Sequence, residues 1–262
     1  MTIRVLGLAV IFLALFCLGP AYADEIKPTV LITGANRGIG FEFVRQFSAL
    51  DWHIIATART PTKADALQRL AAADSDIIIE QLDVTDHARV NELAEQFHDQ
   101  PIDVLLLNAA LGPTAKTARA QLDSLDWDVA RQSFEVNAIG PTNLSKAFMR
   151  HVEASKKKLI VAISSDSGSF VAGSQLPILY HYKVSKAALN MYMHTLSFAT
   201  RKRGVTVVML HPGLVATNPR LANIKGALQP EESVSAMMTV MENLKPADNG
   251  RFISYTGETM PW

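Results

Sequence analysis

The chain has 262 residues, a length that accommodates one substantial α/β core. Apolar residues make up 48% of it and charged residues 19%, a composition that excludes an intrinsically disordered protein. The 25 basic and 25 acidic residues balance, and no basic stripe interleaved with aromatics is present, so nucleic acid is not an expected partner.

The first 23 residues differ from the rest and are predicted to be a signal peptide (1–23). Arg4 precedes an almost unbroken apolar run, 5–18, which is too short for a comfortable membrane span. Ala-Tyr-Ala at 21–23 offers the small residues that a signal peptidase recognises. We therefore expect a periplasmic or secreted mature chain, 24–262, without a stable membrane span. An uncleaved membrane anchor is the alternative.

After Pro28, short β-rich segments alternate with amphipathic helical segments. Strands that are apolar on both faces and separated by helices indicate a parallel sheet covered on both sides. The prediction is one doubly wound (Rossmann) α/β domain with a seven-stranded parallel sheet. The predicted strands are 29–33, 52–59, 76–84, 102–110, 158–165, 205–213 and 251–255. The predicted helices are 39–50, a stretch ending near 73, 86–100, 124–151, 180–203 and 231–244.

A glycine loop follows the first predicted strand, where an open α/β sheet places its phosphate site. Gly34 would permit a sharp exit from the strand, Gly38 a close approach of backbone to a pyrophosphate, and Gly40 close packing of helix on sheet. The spacing G-x3-G-x-G departs from the standard dinucleotide fingerprint. A glycine turn without function is the alternative if the loop is taken alone.

The second predicted strand indicates which dinucleotide is bound. Sites for NAD usually place an acid at the end of this strand, whereas this chain has Arg59 there and Arg37 in the glycine loop. Guanidinium groups suit a 2′-phosphate, which predicts NADP(H) over NAD(H). Two solvated surface arginines are the alternative. Asp83, after the third strand, is a candidate acceptor for the adenine amino group.

A tyrosine and a lysine four residues apart form the candidate catalytic pair. Tyr182 and Lys186 would share one helix face, and a nearby ammonium would lower the pKa of the phenol and make it a usable acid/base. Such a pair is by itself common on surface helices. Ser165 ends the fifth predicted strand, where its hydroxyl would polarise a substrate carbonyl. Asn137 is a poor helix-interior residue, which by itself indicates a bend in the helix; holding a water that connects Lys186 to solvent is the alternative.

Taken in order, the motifs TGANRGIG, LDV, LNAA, VNAIGP, ISS, YKVSK and HPGLVAT resemble the short-chain dehydrogenase/reductase family. The resemblance covers about 28–262. Within the family, YKVSKAALNM, HPGLVATN and GRFISYTGETMPW are similar to the C-factor and sniffer-like carbonyl reductase branch. The resemblance implies an NADP(H)-linked fold with strand order 3-2-1-4-5-6-7.

The family's roles carry over to matching positions of this chain. The resemblance implies that Tyr182 is the catalytic acid/base, that Lys186 binds the nicotinamide ribose, that Ser165 orients the carbonyl and that Asn137 supports the proton relay. No metal is expected. The cofactor-binding residues that it implies are Gly34, Asn36, Arg37, Gly38, Ile39, Gly40, Arg59, Asp83, Val84, Asn108, Ala109, Tyr182 and Lys186, with Pro212, Gly213, Val215 and Thr217 on the nicotinamide side.

The chain departs from the family pattern after the fourth strand, where Leu-Asn-Ala-Ala at 107–110 stands in place of Asn-Asn-Ala-Gly. The extra methyl group of Ala110 is expected to crowd the adenosine side. The interval from Ser165 to Tyr182 is also longer than usual, with Ser167 and Ser169 nearby.

The expected function is an NADP(H)-dependent oxidoreductase that interconverts a carbonyl and an alcohol on a small substrate. The segment 213–229 would cover that substrate. The alternative is an exported C-factor-like signalling or binding protein that uses the same scaffold without obligatory turnover. The family often pairs its long helices across a dimer, so a homodimer through 124–151 and 180–203 is a further expectation.

Overall fold

The structure is a computed structural model that describes residues 27–262, so the predicted signal peptide lies outside the described residues. The strands of the described residues are β1 (Thr29–Ile32), β2 (His53–Ala58), β3 (Ile77–Gln81), β4 (Val104–Leu107), β5 (Leu159–Ile163), β6 (Thr206–His211) and β7 (Phe252–Ser254). These seven strands form one sheet with the order β3-β2-β1-β4-β5-β6-β7, and every neighbouring pair is parallel. The predicted doubly wound fold and its strand order are therefore confirmed.

Helices cover both faces of the sheet and divide the core into two clusters. Val30 and Ile32 of β1 point into one cluster and Leu31 into the other, which explains why the strand sequences are apolar without alternation. The helices are α1 (Gly38–Ala49), α2 (Asp65–Ala73), α3 (His87–Gln96), α4 (Ala115–Ala118), α5 (Trp127–Phe134), α6 (Gly140–Ala147), α7 (Met149–Ala154), α8 (Tyr180–Thr200), α9 (Pro219–Ala222) and α10 (Pro230–Asn243). Helices α1, α2 and α10 cover the first cluster, and α3, α6, α7 and α8 the second.

The helix predicted over 124–151 is not continuous. Helix α5 passes into a π-helical turn, Glu135–Ile139, before α6 begins. Pro141 in the first turn of α6 has no amide hydrogen for the carbonyl of Asn137 four residues earlier, so the regular α-helical ladder cannot continue there. Wide turns of this kind are frequent at functional sites.

The short helices α4 and α9 were not predicted. Each spans only four residues, too few to show an amphipathic period in the sequence. Both follow the carboxyl ends of strands, the edge at which open parallel sheets bind ligands. Between residues 27 and 262, no helix is both long enough and apolar enough to cross a membrane.

Candidate active site

The glycine loop between β1 and α1 is shaped by positions that exclude side chains. Gly34 and Gly38 have φ angles of 67° and 56°, in the left-handed region that favours glycine. A Cβ at Gly40 would lie 2.3 Å from the carbonyl oxygen of Gly34 and 2.4 Å from Nδ2 of Asn108. The start of α1 therefore lies directly against the loop, with its free amide groups at the same edge.

Asn108 holds this loop to the end of β4. Its Nδ2 donates to the carbonyl oxygens of Thr33 (2.9 Å) and Gly34 (3.1 Å). The hydroxyl of Thr33 accepts from the amides of Asn108 (2.9 Å) and Ala109 (3.0 Å). The side chain of Asn108 thus fixes the backbone that would hold the dinucleotide. Ala110, at the departure from the family pattern, is exposed.

A pocket of about 320 Å³ lies on the predicted adenosine side, beyond the end of β2. Oδ1 of Asp83 there accepts from the amide (3.0 Å) and the hydroxyl (2.8 Å) of Thr85. Arg37 and Arg59 are both exposed, and neither forms an ion pair with any residue of the described chain. Their guanidinium groups are available to an anion. The pocket is lined by Arg59, Asp83, Thr85, Arg131, Gln132, Glu135 and Val136.

Helix α8 brings the predicted tyrosine and lysine together beside the end of β5. Lys186 is 3% exposed, and its Nζ donates to the carbonyl oxygen of Ile163 at 2.8 Å. The same Nζ lies 5.9 Å from the ring centre of Tyr182. The helix begins after Leu179, whose amide donates to the carbonyl of Ala118 at 3.0 Å and anchors the first turn.

Burial sets the ionisation of this pair. It raises the pKa of Tyr182 to about 12, against a smaller lowering by a hydrogen bond with Ser165, and the charge of Asp166 raises it further. Burial also lowers the pKa of Lys186 to about 8. The expectation of a lowered phenol pKa is therefore wrong for this geometry, because burial disfavours the phenolate. The Lys186 ammonium, which donates to the carbonyl oxygen of Ile163, is not among the groups that shift this pKa.

The two serines that end β5 have different surroundings. Ser164 is buried, and its hydroxyl donates to Oδ1 of Asn190 at 2.5 Å, so it joins strand to helix. Ser165 starts the 3-10 turn Asp166–Gly168, and its hydroxyl neighbours Tyr182. The hydroxyl of Ser169 accepts from two amides of its own loop. Of the candidate serines, Ser165 is the one placed beside the tyrosine.

Asn137 is fully buried in the π-helical turn. Its Oδ1 accepts from the amide of Leu111 (2.6 Å), and its Nδ2 donates to the carbonyl of Leu111 (3.1 Å) and the hydroxyl of Ser185 (3.0 Å). The side-chain amide of Asn137 therefore donates both of its hydrogens to protein groups. The group of Asn137 that is left for a proton relay is its main-chain carbonyl. This carbonyl has no α-helical hydrogen-bond donor, because Pro141 lacks an amide hydrogen.

The segment after β6 forms the remaining border of the site. Gly213 has a φ of 79°, and Val215 pairs with Leu228 in an isolated bridge. Thr217 faces the glycine loop, since a Cβ at Gly38 would lie 3.2 Å from its Cγ2. Pro212 is buried and accepts from the hydroxyl of Ser233 at 2.6 Å. The segment predicted to cover the substrate, 213–229, thus borders the glycine loop.

A small pocket of about 110 Å³ lies beside Tyr182. Arg220 of α9 reaches across to its rim and donates to the carbonyl of Pro113 at 3.1 Å. The sequence analysis did not identify three residues that lie next to the site: His181, Asp166 and His211. Asp166 directly follows the recognised motif ISS, and His211 is the first residue of the recognised motif HPG, so these positions were the available signal. The pocket is lined by Leu111, Gly112, Pro113, Thr114, Thr117, Val129, Gln132, Ser133, Leu179, His181 and Tyr182.

Comparison with known families decides the classification. The sequence description of the short chain dehydrogenase family matches residues 28–225. The chain belongs to this family. It is therefore an oxidoreductase by descent, as the ordered motifs predicted. Within the family it is 32% identical over 162 residues to the C-signal of Myxococcus xanthus, an alignment that covers 62% of this chain and 93% of that protein.

Solved structures agree with the predicted branch. The NADPH-bound carbonyl reductase from chicken fatty liver superposes with a TM-score of 0.81 at 32% identity, covering 90% of this chain and 99% of the other. The carbonyl reductase Sniffer of D. melanogaster gives a TM-score of 0.80 at 26% identity, covering 90% and 100%. The prediction of a C-factor and sniffer-like branch is confirmed.

Proposed function

We propose that the protein is an NADP(H)-dependent reductase that interconverts a carbonyl and an alcohol on a small substrate. The observation that carries the proposal is the convergence of Tyr182, Ser165 and Lys186 beside a small pocket, at the sheet edge that also holds the glycine loop. A proton donor, a carbonyl-binding hydroxyl and a dinucleotide cradle are thus within one cleft.

The glycine loop and the exposed arginines fit an NADP(H) cofactor. The loop offers backbone amides and the N-terminus of α1 to the pyrophosphate, and Arg37 and Arg59 have free guanidinium groups for a 2′-phosphate. The cofactor prediction is confirmed by the NADPH-bound chicken relative. When bound, NADPH supplies the hydride.

The protein groups supply the proton and the orientation. Tyr182, with a pKa raised to about 12, is a phenol at neutral pH and so holds the proton that the carbonyl oxygen would receive. Ser165 would hold the same oxygen by a second hydrogen bond. Lys186 keeps a cation near the phenol as its charge develops, and its pKa of about 8 leaves it mostly protonated at neutral pH.

The pocket size restricts the substrate. A volume of about 110 Å³ accommodates only a few heavy atoms, and its walls combine apolar side chains such as Leu111, Val129 and Leu179 with few polar groups. We infer that the reacting end of the substrate is a compact aldehyde or ketone.

A turnover assay with a matched pair of tyrosine variants tests this proposal. The purified protein should oxidise NADPH in the presence of a member of a panel of small aldehydes and ketones. Tyr182→Phe should lower kcat by about 10²- to 10⁴-fold, the usual contribution of a positioned acid. Tyr180→Phe, two residues away in the same helical turn, is the control and should retain most activity. Equal turnover in the two variants would contradict the assignment.

Cofactor selectivity gives a second test. Arg37→Ala with Arg59→Ala should weaken NADPH binding by at least about tenfold and leave NADH binding nearly unchanged, because only NADPH carries the 2′-phosphate. Isothermal titration with both dinucleotides measures the difference. Parallel losses for the two cofactors would show that the arginines do not contact the 2′-phosphate.

Similarity to the C-signal favours a second candidate, an exported signalling or binding protein that does not require turnover. We propose accordingly that 1–23 is a cleaved signal peptide, on the strength of its sequence. N-terminal sequencing of the native protein after cell fractionation should find Asp24 first, in an exported fraction. An intact Met1 in the cytoplasmic fraction would contradict export. A Tyr182→Phe protein that keeps its biological effect would favour signalling over catalysis.

A homodimer through α8 is also proposed. Val184, Met191 and Phe198 recur every seven residues, and each is more than half exposed. An apolar stripe with this spacing suits packing against a second helix. Sedimentation velocity should show a dimer that Met191→Glu dissociates. A wild-type protein that sediments as a monomer at micromolar concentration would refute it.

A further inference from the structure

A second cavity, of about 640 Å³, lies at the opposite edge of the sheet from the glycine loop. The last turns of α1 and α10 form two of its walls, and residues just before β2, at the start of β4 and just before β5 complete it. Helix α1 begins at the glycine loop and is about 18 Å long, so this cavity is separate from the cofactor site. Its volume is in the range of small-molecule sites. The cavity is lined by Gln46, Phe47, Ala49, Leu50, Trp52, Val104, Lys157, Ser235, Met238, Thr239, Met241 and Glu242.

The inner surface of this cavity is apolar and aromatic. Phe47, Val104 and Met241 line it and are each at most 3% exposed. The ring centres of Phe47 and Trp52 lie 4.8 Å apart, so two aromatic rings contribute to one wall. Leu50, at the border, is 59% exposed. A hydrocarbon or aryl group bound here would be removed from water, which is the main driving force for binding apolar ligands.

One cation and one acid line the same cavity, and both are exposed: Lys157 and Glu242. Lys157 forms no ion pair with any residue between 27 and 262. Its amide donates to Oδ1 of Asp103 at 3.1 Å, which fixes the backbone that carries it. Burial lowers the pKa of Lys157, whereas the charges of Glu242 and Asp103 raise it. The ammonium is thus partly desolvated and available to an anion.

We propose that this cavity binds an amphiphilic carboxylate, with its apolar body against Phe47, Trp52 and Met241 and its carboxylate on Lys157. A carboxylate is ionised at neutral pH and pairs well with an ammonium that the protein has partly removed from water. Glu242 opposes a second negative charge, so its effect on affinity reports the charge of the ligand. The proposal concerns binding alone and does not depend on turnover.

A titration with decanoate at pH 7, below its micelle concentration, tests the proposal. Trp52 is one of three tryptophans and the one that lines the cavity, so its fluorescence should change and saturate. Trp52→Phe should remove this signal while calorimetry still detects binding. Butanoate, which is too short to cover the apolar surface, should bind at least about tenfold more weakly. Decan-1-ol is the neutral probe of the same length.

Charge variants at the mouth of the cavity separate recognition of the carboxylate from general apolar binding. Lys157→Met should weaken decanoate binding by about five- to tenfold and leave decan-1-ol binding unchanged. Lys156→Met, next in sequence but not in the cavity lining, is the matched control. Glu242→Gln should tighten decanoate binding by about two- to fivefold. All three positions are exposed, so the variants should fold.

Three results would overturn the proposal. The first is the absence of saturable decanoate binding to the wild type. The second is equal affinity of Lys157→Met and Lys156→Met for decanoate, which would show that the cavity does not recognise the carboxylate. The third is a wild-type dimer that Leu50→Glu dissociates in sedimentation velocity, which would show that a second copy of the chain covers the cavity.

Discussion

The cofactor half and the catalytic half of the site, which share one edge of the sheet, depend on opposite structural features. In the cofactor half, the loop after β1 approaches α1 and β4 so closely that Gly34 and Gly40 leave no room for a side chain. In the catalytic half, polar side chains are buried: Lys186 is 3% exposed and Asn137 is fully buried. The cofactor half requires positions that carry no side chain, whereas the catalytic half requires polar side chains that are shielded from water.

This difference determines what a substitution does. An added methyl group in the cofactor half must displace backbone, so binding and stability fall together. Removing a buried charge in the catalytic half relieves a desolvation penalty, so activity falls while stability is kept or gained. The predictions below separate these two behaviours.

The largest effect is expected for Lys186→Met. The variant loses the cation beside Tyr182, and kcat should fall by about 10³-fold or more. The buried ammonium is replaced by an apolar chain of similar length, so the melting temperature should be unchanged or higher in spite of the lost hydrogen bond to Ile163. Activity assays and thermal denaturation measure the two quantities. A marked loss of stability would show that the hydrogen bond outweighs the desolvation of the ammonium.

Gly40→Ala should show the opposite behaviour. Its Cβ would lie 2.3 Å from the carbonyl oxygen of Gly34, so the loop must move. We expect a loss of about 1–3 kcal/mol in the free energy of unfolding and at least about tenfold weaker NADPH binding. Gly112→Ala is the control, because a Cβ there would meet nothing within 4 Å. Equal stabilities of the two variants would contradict the steric account of the loop.

The sequence predicted the cofactor half better than the catalytic half, for a physical reason. Glycine spacing and the alternation of strands with helices are local or periodic features, so the loop, its position and the doubly wound sheet could be inferred directly. The strand order came from the resemblance to the family. The four-residue spacing of Tyr182 and Lys186 was equally visible. The direction of the phenol's pKa shift was not, because it depends on burial by segments distant in sequence. The bonds of Asn137 to Leu111 and Ser185 were hidden for the same reason.

The smallest expected effect is the pH dependence of activity and stability. It compares the two properties through the ionisation of one group, Lys186. Burial lowers the pKa of Lys186 from 10.5 to about 8, so above pH 8 the folded protein loses a proton that the unfolded chain keeps. The kcat/KM for NADPH in carbonyl reduction, which reports the free enzyme, should therefore fall about tenfold per pH unit above this value. Tyr182 remains a phenol over this range, since its pKa is about 12.

Stability should move in the other direction over the same interval. Where the unfolded state binds more protons than the folded state, the free energy of unfolding rises with pH. The contribution of Lys186 is thus least favourable below pH 8, and its desolvation penalty disappears as the pH approaches 10.5. Denaturant unfolding of the wild type and of Lys186→Met at several pH values isolates this contribution, because the difference in unfolding free energy between them should shrink as the pH rises. A constant difference would mean that Lys186 has the same pKa in the folded and unfolded states, so that burial does not shift it.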